Sequence, residues 1–384
     1  MKRIVINTGG GDAPGLNAVI YSVVHTGARL GFETYGIRDG YDGILHPERY
    51  PEGGVVKLDH ESVHSIAGEG GTILGSTNRG NPFREVIQHR DGSTEELDRS
   101  EEVIRALYRL EADVLIAVGG DGTLKIAHEL QQKGARVIGV PKTIDNDLEA
   151  TDLTFGFQTA ASFATECIER LHTTAESHRR ILCVEVMGRH AGWIALHCGV
   201  AGMADAILIP EIPFSINCLA DDLRLKFAAG QRHAIVVVAE GALSLNGRIT
   251  TRNRRAGEQE RLGGVGELVA EQLQELLAVE SRSVTLGHLL RGGSPIALDR
   301  LLGLAFGSAA VEAAAAGENG IMVALQGTRI VRVPLAAAIL RAKRVPPDGM
   351  GVSVARALGI SLGDGRREHI EETGHVLPVH ANVA

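Results

Sequence analysis

Between Val114 and Asp147 the chain twice repeats one arrangement, an apolar run that stops at a polar turn, and this stretch limits the possible folds more than any other. Val114-Leu115-Ile116-Ala117-Val118 carries no polar residue and is closed by two glycines, the pattern of a buried parallel strand that delivers a tight turn to its carboxyl end. Gly119-Gly120-Asp121-Gly122-Thr123 then supplies bare amides, one carboxylate and one hydroxyl. Glycines let a phosphate approach the backbone, and a helix over Leu124 to Gln131 aims its N-terminus at the anion. Asp121 suits a metal ion rather than the phosphate itself. A second apolar strand, Val137 to Val140, ends in Pro141-Lys142-Thr143-Ile144-Asp145-Asn146-Asp147. Two neighbouring strand ends thus gather Asp121, Asp145, Asp147, Lys142, Thr123 and Thr143, a set that fits metal-assisted phosphoryl transfer.

The rhythm recurs along the chain. Ile4 to Asn7 reads as a strand, Thr8 to Gly11 as its turn, and Pro14 opens a helix whose stripe is Leu16, Val19, Ile20, Val23 and Val24. A short strand and loop over Tyr35 to Asp42 carry Tyr41, which either borders a nucleotide or is an ordinary loop aromatic. Further strands are expected at Ile181 to Val186, Ala206 to Ile209, Ala234 to Ala239 and Val284 to Leu286. Helices are expected from Thr154–Thr159 to about Glu176, over Glu267 to Val279 and over Leu298 to Ala316, followed by a strand pair at Ile321 to Leu325 and Ile330 to Val333. Gly10, Asp12, Asp121, Asp145, Met187, Arg189, Glu240 and His288 all stand just past the carboxyl end of an apolar run. Open α/β sheets bind ligands at that edge, whereas residues that merely end strands would scatter over both edges.

The expected fold class is α/β, with two similar Rossmann-like three-layer domains of mostly parallel sheets facing one another. Residues 1–156 with about 290–340 form one domain, and 157–289 with about 341–384 the other. Residues 243 to 267 read as a solvated excursion, and the tail after Arg344 carries no chemical signal.

A length of 384 residues and 44% hydrophobic content allow cores of that size. With a net charge of −8 and no basic run beyond Arg252 to Arg255, neither a nucleic acid nor a membrane surface is expected as a partner. Cys167, Cys183, Cys198 and Cys218 lack metal spacing and read as free thiols of a reducing compartment. Met1-Lys2-Arg3 leads directly into a strand, and no 18-residue apolar run exists, so a cytoplasmic location is expected.

Gly119 to Thr123 alone also fits NAD kinases and lipid kinases. Pro141 to Asp147, with Gly10-Gly11-Asp12-Ala13-Pro14-Gly15, Met187-Gly188-Arg189 and Gly287-His288-Leu289-Leu290-Arg291-Gly292-Gly293, resembles the 6-phosphofructokinase family, in the family's order and over about residues 3 to 326. The resemblance implies Mg²⁺-dependent transfer of a phosphoryl group, from ATP or pyrophosphate, to fructose 6-phosphate. It makes Asp145 the base, Asp121 the Mg²⁺ ligand with Asp147 near it, and Thr143, Arg189, Gly10 and Gly11 the contacts of the transferring group. Gly120, Gly122, Thr123 and Lys142, with Arg79 and Arg84 of the polar loop Asn78 to Arg84, would meet the donor. Arg180, Arg282, Arg291 and His288 would hold the sugar phosphate, and Met187, Gly188 and Glu240 would border it. In the family the counterparts of Arg180 and Arg282 come from a neighbouring subunit, so a homodimer or homotetramer is expected.

Pyrophosphate users of the family place an acidic side chain where this chain has Gly122, which leaves room for the nucleotide α-phosphate and favours ATP. Lys142 is the residue usual in pyrophosphate users, which keeps that alternative open. Tyr21, His25, His60 and His172 stand where the best-known bacterial members use arginines for an effector, so weak or different control is expected. A non-catalytic sugar-phosphate or nucleotide sensor is the alternative outside the enzymes. It would be expected to lose Asp121, Asp145 or Arg189, all of which are present.

Overall fold

A computed structural model describes residues 2–78, 80–88, 92–245, 251, 252 and 261–366. Its strands in chain order are β1 (Lys2–Thr8), β2 (Phe32–Ile37), β3 (Val55–Leu58), β4 (Glu85–Gln88), β5 (Thr94–Leu97), β6 (Val114–Gly119), β7 (Val137–Thr143) and β8 (Phe155–Gly156). They continue with β9 (Ile181–Val186), β10 (Ala206–Leu208), β11 (Ala234–Ala239), β12 (Thr251–Arg252), β13 (Arg261–Leu262), β14 (Ser281–Thr285), β15 (Ile321–Gln326) and β16 (Arg329–Pro334).

The larger sheet has the order β16-β15-β7-β6-β1-β2-β3, with β8 also paired to β7. Its interior pairs are parallel, and only the β2–β3 and β15–β16 pairs are antiparallel. The smaller sheet, β10-β11-β9-β14, is parallel throughout. Apolar residues pack on both faces of each sheet, which is why β6, β9 and β11 are buried along their whole length and read as unbroken apolar runs.

Several boundaries differ from the sequence reading for identifiable reasons. β7 continues three residues past Val140, through Pro141 and Lys142, because its partner changes. It pairs with β15 only at Ile138 and Gly139, and with β8 at Lys142 and Thr143, so Pro141 stands between the two partners where its missing N–H is tolerated. β14 begins at Ser281 rather than Val284, its polar first half sitting at the sheet edge beside β9. The sequence reading passes over the helices Ser100–Arg109, Trp193–Ala201 and Ile216–Ala228 and the strands β3 to β5. The expected excursion at 243–267 lies mostly outside the described residues, as do Arg79 and the tail from residue 367.

The alanine-rich helix Ala297–Ala315 crosses back from the smaller sheet and packs on Leu16–Arg29 of the larger one. Glycine makes the approach possible: a Cβ on Gly307 would stand 2.0 Å from Ser22 Oγ. On the same helix the buried Asp299 accepts hydrogen bonds of 2.6 Å from both the amide and the hydroxyl of Thr159, in the first turn of Phe157–His178. All four cysteines are free, and no described helix is long and apolar enough to cross a membrane.

Candidate active site

The carboxyl ends of β1, β6 and β7 lie side by side, and their turns interlock. Thr123, almost fully buried, fills the space between the first two: a Cβ on Gly9 would stand 2.6 Å from its Oγ1, and one on Gly119 2.3 Å from its Cβ. Three successive carbonyls after β1 are each held by a side chain. Ser76 Oγ donates to Gly10 O (2.5 Å), Lys142 Nζ to Gly11 O, and Arg291 Nη1 to Asp12 O (3.1 Å). Gly10 has a left-handed backbone (φ 79°) that only glycine adopts readily, and a Cβ on Gly11 would reach 2.8 Å from the Arg291 guanidinium carbon. The amide of Gly10 donates to Thr77 O (3.1 Å).

These turns enclose a cavity of about 360 Å³. Of the residues expected to meet a donor, Gly10, Gly11, Gly120, Asp121, Gly122, Thr123 and Lys142 line it, and so do Thr143 and Arg291. Tyr41 borders it too, although its side chain is buried in the cluster of Val5, Ile37 and Leu45. Arg84 is exposed and does not line it, and Arg79 lies outside the described residues. The sequence reading missed Thr77 and Ile126 and valued the Asn78 to Arg84 loop for its arginines, whereas Asn78 and Asn81 are the side chains that face the cavity.

Asp121 opens the helix Asp121–Gln132, half-exposed, and pairs with Lys125 at 2.7 Å. Asp145 is more enclosed: its amide donates to Thr143 Oγ1 (3.1 Å), and its Oδ1 is buried with no hydrogen-bonding partner among the described residues. Burial first, then the charges of Asp147 and Glu240, push the Asp145 carboxyl up to about 7 against the opposing pull of Arg291 and Lys142. Burial raises Asp147 as well, and Asp121 adds to it. Lys142 moves the other way, lowered to about 8 by burial and by Arg291. Neither carboxyl lines the cavity that Lys142 does, but raised carboxyls close to a depressed lysine suit proton transfer near neutral pH.

From the smaller sheet, Met187, Gly188 and Arg189 follow β9, and Glu240 follows β11. The Glu240 amide donates to Val186 O (2.9 Å) and Gly241 N to Gly188 O (3.1 Å), which ties the two loops together. Burial raises the Glu240 carboxyl, and Arg291 and Arg189 oppose it. His288 lines a separate cavity with Phe163 and Leu289.

Arg180 and Arg282 do not join this cluster. Arg180 precedes β9 and Arg282 is the second residue of β14, so both stand at the amino edge, ~20 Å from the strand ends that carry Met187. There they share one carboxylate: Arg180 Nε lies 2.8 Å and Arg282 Nη2 2.5 Å from Glu280.

Among the described residues no three His, Cys, Asp or Glu side chains form a metal cage. A magnesium ion that shares its oxygens with phosphates needs only one or two carboxylates. Asp121, which lines the cavity, and Asp147, which lies close enough to feel its charge, meet that requirement.

A family model described as phosphofructokinase matches residues 3–314. The ATP-dependent 6-phosphofructokinase of Chloroflexus aurantiacus is 50% identical, with 94% of this chain and 98% of the relative covered. The pyrophosphate–fructose 6-phosphate 1-phosphotransferase of Amycolatopsis methanolica is 49% identical over 90% of this chain and 97% of its own. Among solved structures, the pyrophosphate-dependent phosphofructokinase of Nitrosospira multiformis shares the fold, with a TM-score of 0.76, 21% identity and 99% of each chain covered.

Proposed function

We propose, from the premise that the chain belongs to the phosphofructokinase family, that it transfers the γ-phosphoryl group of ATP to the 1-hydroxyl of fructose 6-phosphate, releasing ADP and fructose 1,6-bisphosphate. The observation that carries this reading is Asp145. Its enclosed carboxyl is raised to about 7 and lies in the field of Lys142 and Arg291, where it takes the proton of the acceptor hydroxyl as the phosphoryl group arrives. Thr143 and Arg189 hold the transferring group, and Gly10 and Gly11 admit it without a side chain in the way. Asp121 and Asp147 would hold Mg²⁺, which would supply positive charge to offset that of the phosphates. His288, Arg291 and Glu240 orient the sugar phosphate. The larger sheet is the donor half and the smaller sheet the acceptor half.

Gly122 supports ATP, because nothing lies within 4 Å of where its Cβ would stand and the cavity is open on that side. Lys142 supports the second reading, a pyrophosphate donor, as does the Amycolatopsis methanolica relative. Arg180 and Arg282 serve the site of a neighbouring subunit in a homo-oligomer, because their own site lies at the opposite sheet edge. Free cysteines accord with a cytoplasmic setting.

The test is the rate of fructose 1,6-bisphosphate formation with Mg²⁺, compared between ATP and pyrophosphate at equal concentration, with Asp145→Asn as control. Turnover with ATP alone is expected, and turnover with pyrophosphate alone reverses the donor. Turnover with neither leaves a binding protein.

A further inference from the structure

After the larger sheet is complete, the chain returns across the cleft between the two halves as a short extended strap, residues 342–345. One side of the strap is bonded to the turn that carries Asp145. Ala342 forms an antiparallel bridge with Leu148, and the amide of Lys343 donates to Asp147 O at 2.9 Å. Its other side is bonded to the segment that follows Arg189. Trp193 Nε1 donates to Lys343 O at 3.0 Å. The amide of Val345 donates to Glu211 Oε1 (2.9 Å), the same carboxylate that accepts from Gly192 N at 3.0 Å.

The Lys343 side chain repeats the connection. Its ammonium donates to Asn146 Oδ1 (3.1 Å), Thr151 O (2.9 Å) and Asp152 O (2.9 Å), which uses its three protons, and it lies 5.5 Å from the Trp193 ring centroid. Asn146 is the residue this bond fixes. It lies between Asp145 and Asp147 with a left-handed backbone (φ 50°), a conformation that costs free energy for a residue other than glycine. Its Oδ1 also accepts from Thr154 N (3.1 Å), and Thr154 Oγ1 donates to Thr143 O (2.7 Å). One ammonium therefore secures the backbone turn on which the base is mounted. Burial lowers the Lys343 ammonium to about 8, opposed by Asp152, Asp147 and Glu149, so it is charged at neutral pH and costly to leave unpaired.

We propose that Lys343 is a positioning residue for phosphoryl transfer, holding the Asp145 turn and the Arg189–Trp193 segment at the separation the reaction needs. The inference rests on the reading of Asp145 as the base. Two loops from different sheets have to present a base and a phosphoryl-binding arginine to the same atoms, and an error of about 1 Å there costs ~100-fold in rate. The strap is bonded directly to both.

The experiment compares the parent with Lys343→Met, Lys343→Arg, Trp193→Phe and Asp145→Asn. It reads kcat, KM for both substrates, circular dichroism and the emission of Trp193, the single tryptophan of the chain. Lys343→Met is expected to lower kcat ~30-fold or more with both KM values within about threefold, to remain folded, and to shift Trp193 emission as the cation leaves the ring. Lys343→Arg, which can still donate to carbonyls, is expected to recover at least about tenfold of that loss. Should Lys343→Met fail to fold, Trp193→Phe removes the N–H that bonds Lys343 O and replaces the indole with a smaller ring, and is expected to lower kcat ~3- to 10-fold. A kcat within about twofold of the parent in Lys343→Met, or in Trp193→Phe where that variant stands in, overturns the proposal. So does a loss in Lys343→Met that Lys343→Arg does not relieve. Full activity of Asp145→Asn overturns the base reading and the strap's purpose together, whereas an inactive Asp145→Asn beside an unaffected Lys343→Met overturns the strap alone.

Discussion

Lys142 Nζ donates to the carbonyl oxygen of Gly11, so the last turn of one central strand is braced by the side chain of another. The ammonium is depressed to about 8 by burial and by Arg291. Below that pH it is charged and adds to the cavity's attraction for phosphate; above it the charge is lost. The kcat/KM for the donor should therefore fall as pH rises through about 8, and this alkaline limb should be missing in Lys142→Met, as initial rates from pH 6 to 10 can show.

Burial raises both Asp145 and Asp147, and the charge of Asp147 raises Asp145 further. A base has to be ionised, so kcat/KM should climb through neutrality rather than near the ordinary carboxylate range. Asp147→Asn removes the repelling charge and should move this acid limb to lower pH, which the pH profile of the variant tests directly.

The same carboxyl bears on stability. In the unfolded chain Asp145 loses its proton near the ordinary value of 3.8, whereas in the folded protein it holds it up to about 7. Between those values folding binds a proton, so the folded state is penalised increasingly as pH rises and carries the whole penalty above the folded value. Asp145→Asn should abolish turnover and yet raise the melting temperature at pH 8 by ~1–3 °C, with little change at pH 4. Calorimetry at the two pH values measures this.

A Cβ on Gly122 would meet nothing within 4 Å. Gly122→Asp should accordingly leave folding intact and act only through its bulk and charge beside the donor phosphates. A fall of ~100-fold in kcat/KM for ATP is expected, with KM for fructose 6-phosphate nearly unchanged.

Arg180 and Arg282 converge on Glu280 at the edge remote from Asp145. If they complete a neighbour's site, Arg282→Ala and Asp145→Asn impair different halves of a shared centre. Mixing the two inactive variants under exchanging conditions should restore activity, on the order of a quarter of the parent's in a two-fold dimer, whereas neither variant alone should recover.

The placement of Asp121, Glu240 and the Met187–Arg189 turn was legible in the sequence because each follows a strand buried on both faces, and such strands are unbroken apolar runs that mark their own carboxyl ends, whereas β7 before Asp145 runs three residues beyond its apolar stretch. Asn78 and Asn81 were harder to read, because a loop shows its composition but not which side chains turn inward. Lys343 was invisible for a different reason. Two of its three partners are main-chain carbonyls, one of them 192 residues away, and a carbonyl has no letter in a sequence. Helix Ser100–Arg109 was there to be seen, with Glu101 and Glu102 in its first turn and Val103, Ile104 and Leu107 along one face, but no glycine turn or chemical motif drew notice to it.

The helix Ala297–Ala315, closed against Leu16–Arg29 through Gly307, also sets a schedule for synthesis. Leu16–Arg29 leaves the ribosome early, and part of its apolar surface is covered only once Ala297–Ala315 is made, as one edge of β7 waits for β15. The four strands of the smaller sheet, by contrast, all fall between residues 181 and 285 and have their partners as soon as that stretch is made. The first greasy surface to appear is among the last to be sheltered, so a nascent chain stalled before residue 297 should be a natural client for chaperones.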